Sequence, residues 1–336
     1  MDAQKVVFTG ANEVELQGFD FDVTALAPHE VAIKPHYTLI SPGTELACLT
    51  GIESSVRLPF TPGYAGCGEV IATGAEVRGH APGDLVFSYT PHASHVKAGA
   101  LVARVPEGLD LRLAVFARMA AVSITALRVS DAELGDRVAV WGLGLVGNLA
   151  AQLFTLAGCD VIGIDLSPRR RELAKQCGVR HVLDGAQDVV AAVRDLTGGE
   201  MCSTVVEATG APAVGARAAE VAGKLGEVIL VGSPRGEYTG DITALLNQIH
   251  LWQNGCVTFK GAHEWRYRIP RDPGGHTKHS LERNVDILLA LIAEGRLQVE
   301  PLLTHVLPPS ECGAAYAGLR DRKDEYLGVV FDWTGA

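Results

Sequence analysis

The segment Gly142-Leu143-Gly144-Leu145-Val146-Gly147 follows an apolar run, Val138 to Trp141, and opens an apolar helical pattern. A second apolar run, Val161 to Ile164, then ends on Asp165. Gly142 allows a tight strand-to-helix turn, Gly144 lets a ligand's phosphates approach the backbone, and Gly147 lets helix pack on strand. The first-turn amides of Leu145, Val146 and Gly147 would face those phosphates with the positive end of the helix dipole behind them. Asp165 would accept hydrogen bonds from an adenosine ribose and repel a 2′-phosphate. The glycines alone could serve a tight turn. Strand, helix, second strand and acid in register point instead to a bound dinucleotide, NAD(H) rather than NADP(H). Arg170 falls where a basic group can face the ribose, and Arg169 and Arg171 are expected to face solvent.

Two kinds of chain must position this loop. Up to about residue 125, short β-like runs alternate with Pro-Gly turns: Lys5–Thr9, Glu30–Pro35, Gly68–Thr73, Asp84–Ser88 and Leu101–Pro106. From 126 to 262 the pattern is strand–helix alternation, with strands near 138–141, 161–164, 181–183, 204–207, 227–231 and 256–260. The intervening helices fall at 146–157, 168–176, 187–196, 212–223 and 243–252, a doubly wound count. Residues 263–336 add a polar stretch to 280, helices at 281–295 and 309–319, and a strand at 327–333, and are expected to rejoin the first domain.

Composition suits an α/β enzyme. The 336 residues are 47% hydrophobic, with a formal net charge of −10, which argues against nucleic acid or an anionic membrane as partner. No apolar stretch is long enough for a membrane span. The first residues lack a signal-peptide core, which predicts the cytoplasm. Seven cysteines without paired spacing read as reduced thiols.

Several segments together resemble the medium-chain dehydrogenase/reductase superfamily over essentially the whole chain. They are Pro62-Gly63-Tyr64-Ala65-Gly66-Cys67-Gly68-Glu69-Val70, Pro82-Gly83-Asp84-Leu85-Val86, Val105-Pro106-Glu107-Gly108-Leu109 and the Gly142 loop. Val206-Glu207-Ala208-Thr209-Gly210 and Leu327-Gly328-Val329-Val330 complete the set. The resemblance implies a GroES-like β-barrel catalytic domain, a Rossmann dinucleotide-binding domain and an active site in the cleft between them. It also implies a homo-oligomer, dimer or tetramer, acting on a small molecule. Ala208, Thr209 and Gly210, with Gly232 and Ser233, are the further cofactor-side positions.

The departures from that family carry the functional reading. Zinc-dependent members hold the metal with a Cys in an Ile-Cys-Gly-Thr-Asp-like segment, a Gly-His-Glu pair and a Cys or Asp near the domain junction. Here the segments read Ile40-Ser41-Pro42-Gly43-Thr44-Glu45 and Gly63-Tyr64-Ala65, and the third position falls near Ala121. None of these supplies a thiolate, imidazole or carboxylate for a tetrahedral zinc site, so no metal is expected. Cys48 and Cys67 are at offsets that do not fit and read as buried thiols. Ser41 and Tyr64 stand at lost ligand positions. Tyr64 can donate to a developing alkoxide, or it can simply fill the vacated space. Thr44 matches a proton-relaying hydroxyl, and Glu45 can orient Tyr64, serve as a base or cap a turn with Thr44.

His36, His92 and His95 border the cleft in relatives and read as structural or surface groups, with substrate contact as the alternative. His263, Trp265 and Arg266 lie where relatives approach the nicotinamide and would suit a polar ligand, or form a solvated loop. The reading is a zinc-independent, NAD(H)-dependent oxidoreductase interconverting a secondary alcohol and ketone on a sugar, polyol or cyclitol-like substrate. Bacteriochlorophyllide dehydrogenases share the Gly-Thr-Glu and Gly-Tyr features, but the 263–280 stretch does not match them. A zinc-free quinone or enoyl reductase, or a non-catalytic NAD(H)-binding sensor, are the alternatives.

Overall fold

The computed structural model describes residues 1–53 and 55–335. The chain divides into two units: Met1–Arg118, Tyr267–Gly295 and the segment from Leu302 onward form the first, and Met119–Arg266 with Arg296–Pro301 the second. The chain therefore changes unit four times, and 296–301 goes with the second.

The second unit is a six-stranded sheet in the order His181–Asp184, Asp160–Asp165, Arg137–Trp141, Cys202–Glu207, Ala222–Leu230, Thr258–Gly261. Every adjacent pair is parallel. Both faces are covered, which is why the strands read as near-continuous apolar runs. Val138, Val140 and Val161 pack with Ala150, Ala151 and Phe154 of the helix Leu145–Leu156 on one face. Ala139, Trp141, Ile162 and Ile164 pack with Val189 and Val193 of the helix Val189–Leu196 on the other. Truncating fully buried Phe154 to Ala would cost about 3–5 kcal/mol. The chain order reverses between Arg137–Trp141 and Cys202–Glu207, and ligands of such sheets bind at the carboxyl ends of the strands flanking that point. Residues 296–301 are tied in by a two-way amide clasp. Gln298 N–H donates to Gln152 Oε1 at 2.7 Å, and Gln152 Nε2 donates to Gln298 O at 3.0 Å.

The first unit is built on an antiparallel core. The strand Val31–Leu39 pairs with Gly66–Thr73, with Val96–Ala98 and with the C-terminal strand Gly328–Asp332. Leu303–Leu307 extends that sheet in parallel beyond Gly328–Asp332. A separate hairpin joins Asp2–Gly10 to Glu13–Asp20. The helix Cys312–Asp321 brings Tyr316 and Leu319 into a cluster with Phe8, Ile40, Phe331 and Trp333.

The fold class matches the sequence reading, while several local elements differ. The hairpin strand Glu13–Asp20, the helix Pro42–Leu49 and the strand Leu303–Leu307 were not anticipated. The expected helix 212–223 is a short helix, Pro212–Arg217, and a 3-10 turn, Ala218–Val221. From Ala222 the chain is already a strand paired with Cys202–Glu207, so sheet pairing overrides local helical pattern. All seven cysteines are free thiols, six of them buried. Among the described residues no helix is long and apolar enough to cross a membrane.

Candidate cofactor cradle and active-site cluster

In the second unit the glycine-rich loop has the geometry that its sequence calls for. Gly142 has φ +85°, a left-handed turn that favours glycine. A Cβ on Gly147 would lie 1.7 Å from Gly142 O, so helix and strand touch backbone to backbone there. A Cβ on Gly144 meets nothing within 4 Å. Gly144 caps the helix Leu145–Leu156 with no side-chain bond, and the helical ladder starts with Asn148 N–H to Gly144 O at 2.9 Å. The first-turn amides of Leu145, Val146 and Gly147 thus precede that ladder, as an anion cradle requires.

Asp165 is 8% exposed and braces this loop. Its Oδ2 accepts from Leu143 N–H at 2.7 Å and its Oδ1 from Ser167 N–H at 2.8 Å. Arg170 Nη1 stands 4.0 Å from Oδ2. Arg171 does not face solvent as expected. It donates to Asp165 O at 2.9 Å and pairs with Asp184 at 2.9 Å, because the strand His181–Asp184 lies beside Asp160–Asp165.

Ala208, Thr209 and Gly210 follow the neighbouring strand and are organised by a residue the sequence reading quoted but gave no role. Glu207, 1% exposed, accepts from Thr209 N–H at 2.7 Å, from Gly210 N–H at 3.2 Å and from the Thr209 hydroxyl. Burial pushes its carboxyl above the ordinary value, and the bonds from Thr209 and Gly210 oppose that. Gly232 and Ser233 pack against this loop, since a Cβ on Gly232 would lie 2.3 Å from Gly210 N. An acid ending a buried strand was the available signal.

In the first unit, the helix Pro42–Leu49 starts at Ser41 with proline in its first turn. Glu45, 2% exposed, reaches back so that its Oε1 accepts from Ser41 N–H at 2.8 Å and satisfies the amide of the residue that precedes the helix. Glu45 Oε2 accepts from Tyr316 Oη at 2.5 Å and lies 3.0 Å from His92 Nε2. Trp333 Nε1 donates to Thr38 Oγ1 at 2.9 Å, and Thr38 Oγ1 lies 2.8 Å from His92 Nδ1. Because an indole only donates, the Thr38 proton is free to go to Nδ1. A neutral imidazole that accepts at Nδ1 carries its proton on Nε2, towards Glu45. Five buried side chains, fully buried His92 among them, thus hold the start of this helix.

Tyr64 also meets the start of this helix. Its hydroxyl donates to Ser41 Oγ, and Thr44 also bonds to the phenol. Arg118 stacks on its ring, 4.5 Å from the centroid. Burial raises the phenol's pKa above the usual value and the nearby carboxylate of Glu45 adds to this, whereas Arg118, Ser41 and Thr44 oppose it. Ser41, Thr44, Glu45 and Tyr64 therefore come together. Glu45 is linked to Tyr64 through Ser41, whose N–H it accepts.

His36 and His95 belong to the first unit. Burial lowers the His36 pKa, and the charges acting on it are Glu69, Lys34 and Asp332. His95 bonds Ser94 at 3.1 Å and stacks near Phe21. His263, Trp265 and Arg266 belong to the second unit. Arg266 Nη1 donates to Gly261 O at 2.6 Å, and Trp265 is 54% exposed.

Residues 27–127 match the alcohol dehydrogenase GroES-like domain, and residues 146–269 the zinc-binding dehydrogenase family. The chain belongs to the medium-chain dehydrogenase/reductase superfamily. Over 227 residues it is 31% identical to an alcohol dehydrogenase of Geobacillus stearothermophilus, covering 61% of this chain and 64% of the relative. Over 204 residues it is 28% identical to (R,R)-butanediol dehydrogenase of Bacillus subtilis (strain 168), covering 52% and 58%. The match thus spans less than two thirds of either relative's length. Galactitol-1-phosphate dehydrogenase from Escherichia coli superposes with a TM-score of 0.84 at 18% identity, covering 98% of this chain and 99% of that one. At that identity the likeness is one of fold.

The resemblance puts Ser41, Tyr64 and Ala121 at the family's metal positions. Ser41 and Tyr64 present hydroxyls bonded to each other, and Ala121 presents a methyl group. Cys67 is 1% exposed, with its thiol held well above the usual range by burial. Among the described residues no group of three or more His, Cys, Asp or Glu side chains could hold a metal ion.

Proposed function

We propose that this chain is a zinc-free, NAD(H)-linked dehydrogenase that interconverts a secondary alcohol and its ketone on a polyol or sugar-like substrate. The observation that carries this reading is the Tyr64 phenol bonded to both Ser41 and Thr44, with Ser41 and Tyr64 at positions where the resemblance places zinc ligands. The butanediol relative supports the choice of a secondary alcohol.

The overall reaction transfers a hydride from the carbinol carbon and a proton from its oxygen, giving the ketone, NADH and a proton. A bound nicotinamide would accept or return the hydride. Leu145, Val146 and Gly147 would hold the pyrophosphate by their amides and Asp165 the adenosine ribose, with the 208–210 and 232–233 loops as further cofactor-side segments. In reduction Tyr64 donates its proton to the developing alkoxide, and in oxidation it takes that proton. Ser41 and Thr44 hydroxyls pass the proton on. Glu45 keeps Ser41 in place by its bond to the backbone amide. His36, His263 and Trp265 are the proposed substrate contacts, whereas Arg266 is already committed to Gly261 O.

The test is turnover on a panel of polyols and secondary alcohols with NAD⁺, before and after chelation, for the native chain and Tyr64→Phe. We expect chelator-resistant activity that Tyr64→Phe lowers by roughly 10²–10⁴-fold with NADH affinity preserved. Stoichiometric zinc with chelator-sensitive turnover, or full turnover by Tyr64→Phe, overturns the reading.

A further inference from the structure

Arg118 is 4% exposed and interrupts the apolar run Val115-Phe116-Ala117-Arg118-Met119-Ala120-Ala121. It sits in the first turn of the helix Ala117–Val129. Its guanidinium carbon lies 4.5 Å from the centroid of the Tyr64 ring and 4.3 Å from that of Tyr89. Arginine is almost never this buried without dedicated partners, and a desolvated cation between aromatic faces is held by their quadrupoles.

The two rings are not equivalent. Tyr89 packs edge-on to Phe87 at 5.9 Å, whereas Tyr64 carries the hydroxyl that meets Ser41 and Thr44. Ionisation of Tyr64 would turn a quadrupole contact with Arg118 into a pairing of opposite charges, far stronger in a buried setting. We infer that Arg118 is a positioning residue for Tyr64, clamping its ring and setting the pH at which its hydroxyl exchanges a proton with the substrate. This rests on the role given to Tyr64 above.

Among the charged groups that act on Tyr64, Glu45 opposes Arg118. Glu45 disfavours the phenolate, and behind it stand Tyr316 and His92, both bonded to its Oε2; Cys312 lies beyond Tyr316. Ser41 and Thr44 are the remaining polar neighbours. Arg118 is therefore the cation that offsets both burial and Glu45 at this phenol.

The experiment is the pH dependence of kcat/KM in both directions for the native enzyme, Arg118→Met, Arg118→Lys and Tyr64→Phe. In Arg118→Met the rising limb of alcohol oxidation and the falling limb of ketone reduction should both move up by about one pH unit or more. Oxidation near neutral pH should fall about tenfold for each unit of that shift, with NADH affinity preserved. Arg118→Lys should recover part of the shift. If Arg118→Met does not fold, Tyr89→Leu removes one side of the clamp and should move the limbs in the same direction by less. Lower turnover in Arg118→Met or Tyr89→Leu with unmoved limbs would reduce Arg118 to a packing residue. Full turnover by Tyr64→Phe would instead remove the underlying reading. An inactive Tyr64→Phe beside unmoved limbs in Arg118→Met removes this inference alone.

Discussion

Asp165 holds Leu143: the Leu143 N–H donates to Asp165 Oδ2 at 2.7 Å. The acid that ends the second strand is thus tied to the glycine-rich loop, and its oxygens keep lone pairs for a ribose hydroxyl. Asp165→Ser should narrow the preference for NADH over NADPH by about tenfold or more, and should also weaken both, because an unsatisfied amide costs about 1–3 kcal/mol. Asp165→Asn, which keeps an acceptor for Leu143, should relax the preference with less loss of affinity. Fluorescence titration of the two reduced dinucleotides measures this. Tighter NADPH binding by the native chain would reverse the cofactor assignment.

Two glycines of the loop should separate folding from binding. Gly147→Ala places a methyl 1.7 Å from Gly142 O, so it should lower Tm and abolish NADH binding together. Gly144→Ala meets nothing within 4 Å and lies at φ −64°. It should leave Tm nearly unchanged while weakening NADH binding at least tenfold, since the methyl would occupy the space left for phosphate. Equal effects of the two would argue against phosphate at Gly144.

Glu207 gives a pH signature. Its folded pKa is raised, chiefly by burial, so the stability it contributes is fully present below the unfolded carboxyl value. That stability is lost as pH rises through the folded one. Between neutral pH and the unfolded value of 4.5, the native chain should gain stability relative to Glu207→Gln as the solution is acidified. Melting curves of both proteins across that window test it, and a constant difference in Tm would contradict it.

Tyr316→Phe removes one of the two side-chain bonds to Glu45 Oε2. The loss should be about 1–3 kcal/mol by urea unfolding, the usual range for a bond to a charged or buried partner. Activity should change little, because Ser41 keeps its bond to Glu45 Oε1.

What the sequence made legible was whatever local pattern determines. The strands 138–141 and 161–164 are apolar because both sheet faces are covered, and the glycine spacing is fixed by contacts within one turn. Glu13–Asp20 escaped notice because its polar, half-exposed residues pair only with Asp2–Gly10. Pro42–Leu49 is one short helix whose start depends on Glu45 reaching Ser41. Tyr64, Ser41 and Thr44 were readable from their motif positions. Their supports were not: Tyr316 lies 271 residues from Glu45, and no periodicity joins such distant partners. Arg118 carried the one local clue, a cation inside an apolar run.

The Gln152–Gln298 clasp has a consequence for anyone who transplants the dinucleotide-binding unit. A contiguous excision from 119 to 266 looks complete by strand count, yet it strands the amide of Gln152 in the helix that follows the glycine loop. A chimera that exchanges this unit between relatives must carry two separated pieces of chain, or a permuted linkage that rejoins them. The recombination boundary of this protein is therefore discontinuous, and a single-crossover library would break the cofactor half from within.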